Sequence, residues 1–188
     1  MMGRVMKAGI LGVAVAALVA SMPVSADERQ SASRALVQTF GGELMQALTS
    51  ALEEGGPTRA VEVCRDLAPK IAERLSAESG AKVGRTSLKV RRESNAPEAW
   101  QREVLESFER RKAAGENLAT VEHFETTADG GARYMKPIVT QPLCVVCHGP
   151  SIAPEVRAAL EKHYPNDTAT GFDVGDIRGA FSVVWPGT

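Results

Sequence analysis

The stretch Cys144-Val-Val-Cys147-His148-Gly149 sets two thiols three positions apart, with an imidazole directly after the second. Three kinds of chemistry use such a set: a dithiol redox pair, a structural metal site, or the anchor of a covalent haem. A redox pair belongs at the start of a helix just after an early strand. This motif lies late in the chain, after Pro142, and is closed by Gly149-Pro150. A structural zinc site needs four ligands, and His123 and His163 are the only other histidines. Zinc also has no use for a histidine fixed beside its second cysteine. Covalent haem does: Cys144 and Cys147 form the thioether bonds, and His148 supplies the proximal nitrogen. The motif therefore predicts one covalently attached haem c.

The other side of the iron decides the function. The candidates are Cys64, Met45, Met135, His123, His163, or no protein ligand. A methionine or a second histidine gives an ordinary electron-transfer site. Cys64 is the one remaining cysteine. A thiolate suits ferric iron, and Arg65 beside it favours the ionised form. A buried, inert cysteine explains the same residue equally well. Arg85, Arg91 and Lys136 are candidate partners for the haem propionates, because a nearby cation lowers the cost of partly burying a carboxylate. Tyr134 is a candidate hydrogen-bond donor to the same groups. Plain surface solvation is the alternative for all of these. Asp167, Gly171 and Gly175 shape a loop against the motif; Asp167, Asp173 and Asp176 lack the spacing of a calcium loop.

The elements that carry these residues follow from periodicity. Leu36, Phe40, Leu44, Leu48 and Leu52 recur at four-residue steps, one face of a helix over 32–54. Gly55-Gly56-Pro57 ends it. A second helix spans 58–76, capped by Thr58, with Val61, Cys64, Ala68, Ile71 and Leu75 on one face. Pro69 is expected to kink or split that helix one turn after Cys64. A strand is predicted over 82–90, then a helix capped by Asn95 and running to about Lys112, with Trp100, Val104 and Phe108 inward. Residues 119–126 and 132–140 read as a hairpin around Asp129-Gly130-Gly131. A short helix spans 154–164, and Gly179 to Trp185 forms a closing strand. The order suggests an α+β domain with a small antiparallel sheet.

The N-terminus has the order of a secretory signal peptide over residues 1–26: Arg4 and Lys7, an unbroken small-apolar run from Ala8 to Ala20, and Val24-Ser25-Ala26 as a cleavage site. The run is short for a membrane span, which needs roughly 20 residues. Residues 27–188 then make one domain, exported to the periplasm or beyond as a soluble protein without stable membrane insertion. Cleavage removes Arg4 and Lys7 and no acidic residue, so the formal charge moves from −1 to −3. That sign argues against a nucleic-acid partner. Only 5% of the residues are aromatic, so a large apolar cofactor would help fill the interior. In an oxidising compartment, three cysteines cannot all pair within one chain.

Taken together, the stretches Cys64 to Ala72, Gly84 to Trp100, Tyr134 to Ile138, Cys144 to Gly149 and Tyr164 to Val183 resemble the PAS-like c-type haem domains. These occur as small exported proteins and as extracytoplasmic sensor regions of membrane histidine kinases and related receptors. The resemblance implies a central antiparallel β-sheet with an N-terminal helical extension and a single haem on Cys144 and Cys147. It further implies His148 and Cys64 as axial ligands, the latter from the Cys-Arg-x-x-Ala-Pro segment. The chain departs from the family at 91–94, where it reads Arg-Arg-Glu-Ser in place of a common Arg-Asn-Pro. The expectation is a redox or small-gas sensor for nitric oxide or carbon monoxide, passing its signal to a separate protein. The rival is a small electron-transfer cytochrome with a redox partner. An enzyme is not expected, because no acid–base pair accompanies the iron ligands.

Overall fold

The computed structural model describes residues 25–187. The expected signal peptide lies outside these residues, apart from Ser25 and Ala26, where the first helix starts. No described helix is long and apolar enough to cross a membrane.

Helix α1 (Ala26–Ser79) is two arms joined at a break. Gly55 (φ −152°, ψ 15°) and Gly56 (φ 70°, ψ −169°) leave helical geometry, and Pro57 restarts it. Gly56 sits in the left-handed region that side chains disfavour. Proline fits a first helical turn, where its missing N–H has no partner to lose. The break is therefore where the sequence put it, although Pro57 rather than Thr58 opens the second arm. Pro69 does not act as expected: it lies inside the second arm, and only Gly55 and Gly56 have non-helical torsions.

The rest of the chain builds one sheet. Strands β1 (Lys82–Thr86), β2 (His123–Thr126), β3 (Ala132–Val139) and β4 (Ile177–Trp185) are all antiparallel, in the order β1-β4-β3-β2. The fold is α+β, as the sequence implied. β1 is shorter than predicted. Beyond Thr86 the Ser87 hydroxyl donates to the Arg178 carbonyl (2.7 Å), and a Cβ at Gly179 would lie 2.4 Å from the Thr86 carbonyl. That close approach turns the chain out of the sheet. A 3-10 turn at Glu93–Asn95 follows, so Asn95 is not the cap of the next helix. Helix α2 (Ala99–Ala113) starts instead from Glu98, whose N–H donates to Gln101 Oε1 at 2.9 Å. The motif forms the single turn α3 (Val145–His148), and α4 (Pro154–His163) follows it.

Strand alternation sends successive residues to opposite faces. Tyr134 and Val183 join Val37, Phe40, Ile71, Leu75 and Val83 beneath α1. Met135, Ile177 and Ala180 join Val104, Leu105, Phe108 and Val121 beneath α2. A third cluster, Val61, Ile152, Val156, Leu160 and Tyr164, seats α4 on the second arm of α1. Both arms are thus fixed to the sheet or to α4.

One polar node ties the first arm to the sheet. Glu122 accepts from Arg34 Nε (3.0 Å), Gln30 Nε2 (3.0 Å) and the Tyr134 hydroxyl (2.9 Å). The Arg34 guanidinium, then burial acting against it, then Tyr134 set its pKa, which falls to about 2. A carboxyl whose folded pKa is lowered stabilises the fold above its ordinary value of 4.5 and loses that contribution as pH falls towards 2. Glu122→Gln should cost about 1–2 kcal/mol at pH 7, moderated because Arg34 stays in solvent. At pH 2 the variant and parent should unfold at nearly the same denaturant concentration. Urea titrations at the two pH values measure both.

Candidate functional site

A cavity of about 1010 Å³ opens between the two arms of α1 and the sheet. Its first wall is the leucine face read from the sequence: Leu44, Leu48 and Leu52 continue the stripe that Phe40 begins against the core. Cys64 and Ala68 of the second arm face it, and β1, β3 and β4 close the floor through Arg85, Ile138 and Phe181. Cys144, Cys147 and His148 complete the lining. All three cysteines are free thiols. Residues far apart in the chain, Cys64 and the Cys144–His148 turn, thus meet at one cavity.

The motif turn is shaped by its backbone. His148 N donates to Cys144 O (3.0 Å), and Gly149 N to Val145 O (2.9 Å). On a helical turn, positions three and four apart share a face, which groups Cys144, Cys147 and His148. Gly149 is required for space: a Cβ there would lie 2.5 Å from Val145 O. The loop after α4 locks the turn from outside. Phe172 N donates to His148 O and Gly171 N to Gly149 O, both at 3.0 Å, with Gly171 at φ 75°. Asp167 and Gly171 therefore do shape a loop against the motif.

His148 is held for a task at Nε2. Its Nδ1 lies 2.7 Å from the Ala169 carbonyl. A carbonyl only accepts, so the proton is assigned to Nδ1, and the Nε2 lone pair faces Arg91 Nη1 at 3.3 Å. Arg178 Nε, 3.0 Å from the same Nδ1, is then a neighbouring donor rather than a partner. Burial, followed by Arg178 and Arg91, pushes the imidazole well below its ordinary pKa, so the ring is neutral. A neutral imidazole whose far N–H binds a main-chain carbonyl is the usual state of a metal-ligating histidine.

Four arginines line the cavity: Arg85, Arg91, Arg92 and Arg178. Arg91 is buried against Asp167 (Nε to Oδ2, 2.9 Å), and Asp167 Oδ1 in turn accepts from Ala169 N (2.8 Å). Arg85 lies 5.4 Å over the Phe40 ring. Burial first, then Arg91 and Arg85, lowers Arg178 to about 9. Burial raises the Cys64 thiol, while Arg85, Arg91 and Arg178 each oppose that rise. The cations therefore favour a Cys64 thiolate wherever the cavity supplies a partner for it.

The remaining sequence candidates separate cleanly. Met45 lines the cavity. Met135 is fully buried in the α2 core, and His123 stands opposite it on β2. His163 Nδ1 is 2.6 Å from Arg65 Nη1. None of these last three lines the cavity. Lys136 does, and its Nζ donates to the Ala119 carbonyl at 2.6 Å. Tyr134 must be corrected: its ring is buried beneath α1 and its hydroxyl is given to Glu122, away from the cavity lining. Arg178 was not singled out from the sequence. The available signal was its place at the start of a strand, one residue before Gly179. Among the described residues, no three His, Cys, Asp or Glu side chains converge closely enough to hold a metal ion by themselves.

A crystal structure of the cyanobacterial heme-protein Tll0287 is similar to this chain, with 31% identity and a TM-score of 0.63, over 88% of this chain and 97% of that one. No curated protein matches the sequence. The Tll0287-like family model matches residues 14–186. That span takes in both arms of α1, the whole sheet and the cavity between them, and the chain belongs to the Tll0287-like family.

Proposed function

We propose that this chain is an exported haem-binding protein that carries one covalently attached haem c in the cavity and acts as a redox or small-gas sensor. The observation that carries the reading is the meeting of Cys64, Cys144, Cys147 and His148 at one large, mainly apolar cavity. The similarity to a protein described as a heme-protein supports it. When bound, haem supplies an iron that changes oxidation state and accepts a small-gas ligand. The chain's own residues do the rest. Cys144 and Cys147 are the thiols that would hold the haem through thioether bonds. His148 presents Nε2 with its ring angle set by Ala169. Cys64 presents its sulfur, and Arg85, Arg91 and Arg178 oppose the rise in its pKa that burial causes. Arg85 and Lys136 are placed on the lining to meet carboxylate groups, and Leu44, Leu48 and Leu52 exclude water.

Sensing needs an element with two positions. The Cys64 turn is the element proposed for this, because it lies little more than two turns beyond the Gly55-Gly56 break. Reduction or protonation weakens a thiolate's hold on iron, so Cys64 is the ligand expected to leave. The protein is not proposed as an enzyme, and its signal passes to a separate partner. A second reading, electron transfer to a redox partner, is favoured by Met45, Leu143 and Val146, which line the cavity yet remain exposed. Such apolar groups at an opening suit docking between redox proteins.

Visible absorption of the haem-loaded protein, oxidised and reduced, separates these readings. The oxidised parent should show a low-spin thiolate spectrum that Cys64→Ala loses. Carbon monoxide should bind the parent only after reduction. Identical spectra for parent and variant would remove Cys64 from the iron and hand the lead to electron transfer. In a second test, Cys144→Ser/Cys147→Ser should release its haem in a denaturing gel, whereas the parent retains it. Retention by the double variant would sink covalent attachment through these thiols.

A further inference from the structure

Arg91 and Arg92 are consecutive, and each grips a main-chain carbonyl beside one of the two residues read above as iron ligands. Arg91 Nη2 donates to Cys147 O at 2.5 Å, the carbonyl immediately before His148. Arg92 Nη2 donates to Arg65 O at 2.6 Å, the carbonyl immediately after that of Cys64. Two neighbouring side chains thus reach in two directions, one to each ligand-bearing turn.

The second grip has a cause in the sequence. In an α-helix the carbonyl of residue 65 pairs with the N–H of residue 69. Residue 69 is proline, which has no N–H, yet the arm keeps helical torsions through it. Pro69 therefore leaves an acceptor on the very turn that carries Cys64, and the Arg92 guanidinium fills it. A charged donor on a helical carbonyl makes a stronger bond than the amide it replaces. The proline that should have broken the arm instead creates a handle on it.

The strap holding both arginines is itself stapled down. Thr168 N donates to Val90 O, and Val90 N to the Thr168 hydroxyl, both at 2.9 Å. On the far side, Asn166 Nδ2 donates to Glu93 Oε1 at 2.6 Å. Arg91 is anchored by Asp167. The Cys64–Arg65 turn is also held from outside, since the Arg65 side chain meets His163 on α4 and Asp66. The span from Cys147 O to Arg65 O is consequently set by two side chains on a fixed piece of backbone.

We propose that the Arg91-Arg92 pair is a spacer that fixes the separation between the His148 and Cys64 turns, with Arg92 and Pro69 acting as a matched pair that positions Cys64. This rests on the reading of Cys64 as an iron ligand. Arg92 is a positioning residue, not a ligand: it acts through the main chain of the adjacent residue.

The test uses haem-loaded protein and imidazole as a competitor for the Cys64 position, followed by visible absorption. Arg92→Gln should lower the imidazole concentration for half displacement about tenfold, the loss expected for one charge-assisted hydrogen bond. Pro69→Ala restores the missing N–H, so Arg92→Gln/Pro69→Ala should return to within about twofold of the parent. Hydrogen exchange of the amides around residues 64–69 and 90–93 reads the grip independently of iron: protection should fall in Arg92→Gln and recover in the double variant. A parent-like competition curve for Arg92→Gln, or no recovery on adding Pro69→Ala, overturns the proposal. If Cys64→Ala leaves the spectrum unchanged, the ligand reading has failed instead, and the exchange data still report whether the grip exists.

Discussion

The buried ion pair between Arg91 and Asp167 is the interaction on which the site depends. Its two partners are almost out of solvent, so each would be a costly uncompensated charge without the other. Together they join three separate segments. Arg91 holds the carbonyl of Cys147, and Asp167 holds the N–H of Ala169. Ala169 then accepts the Nδ1 proton of His148. The imidazole is therefore held from both sides by one charge pair: through Asp167 and Ala169 at Nδ1, and directly by Arg91 Nη1, 3.3 Å from Nε2. This arrangement follows a wider rule: residues behind a donor atom decide its tautomer and direction.

Around that pair the fold divides its labour. The sheet and α2 form a dry core that does not line the cavity, with Met135 and Phe108 at its centre. The α1 side is less complete: it is packed near Val37 and Leu75, then opens into the cavity towards the break. The same helical stripe serves both ends. Phe40 closes the core, while Leu44, Leu48 and Leu52 face open space. A chain with few aromatic residues thus leaves room where a large flat cofactor fits, and surrounds it with cations that suit carboxylates.

Much of this was legible in the sequence because its signals are local. The Cys-Val-Val-Cys-His turn, the leucine period and the Gly-Gly-Pro break each act within a few residues, and all three stand in the structure. What failed depended on distant partners. Tyr134 looked like a polar group for the cavity, but a carboxylate twelve residues away took its hydroxyl. Asn95 had the chemistry of a helix cap, yet the Thr86 hydroxyl donates to its carbonyl within the turn before Glu98. Pro69 was read by propensity alone, which cannot see an arginine arriving from residue 92. Arg178 was passed over because nothing near it in sequence shows that its strand ends beneath His148. The turn at 91–94, where the chain departs from the family's usual residues, is where the two consecutive arginines sit.

The position of β4 has a consequence for how the chain comes together. It comes last in chain order among the described elements, and of the described strands it alone pairs with β1. Without it β1 has no partner in the described sheet. The hairpin of β2 and β3, and the turn bearing Cys144 to His148, precede it in the chain. Closing β1 onto β4 joins residues nearly a hundred positions apart, a slow kind of contact to form. Arg178, Gly179 and Phe181 of β4 also line the cavity, so one long-range pairing completes both the sheet and the floor beneath the Cys144–His148 turn.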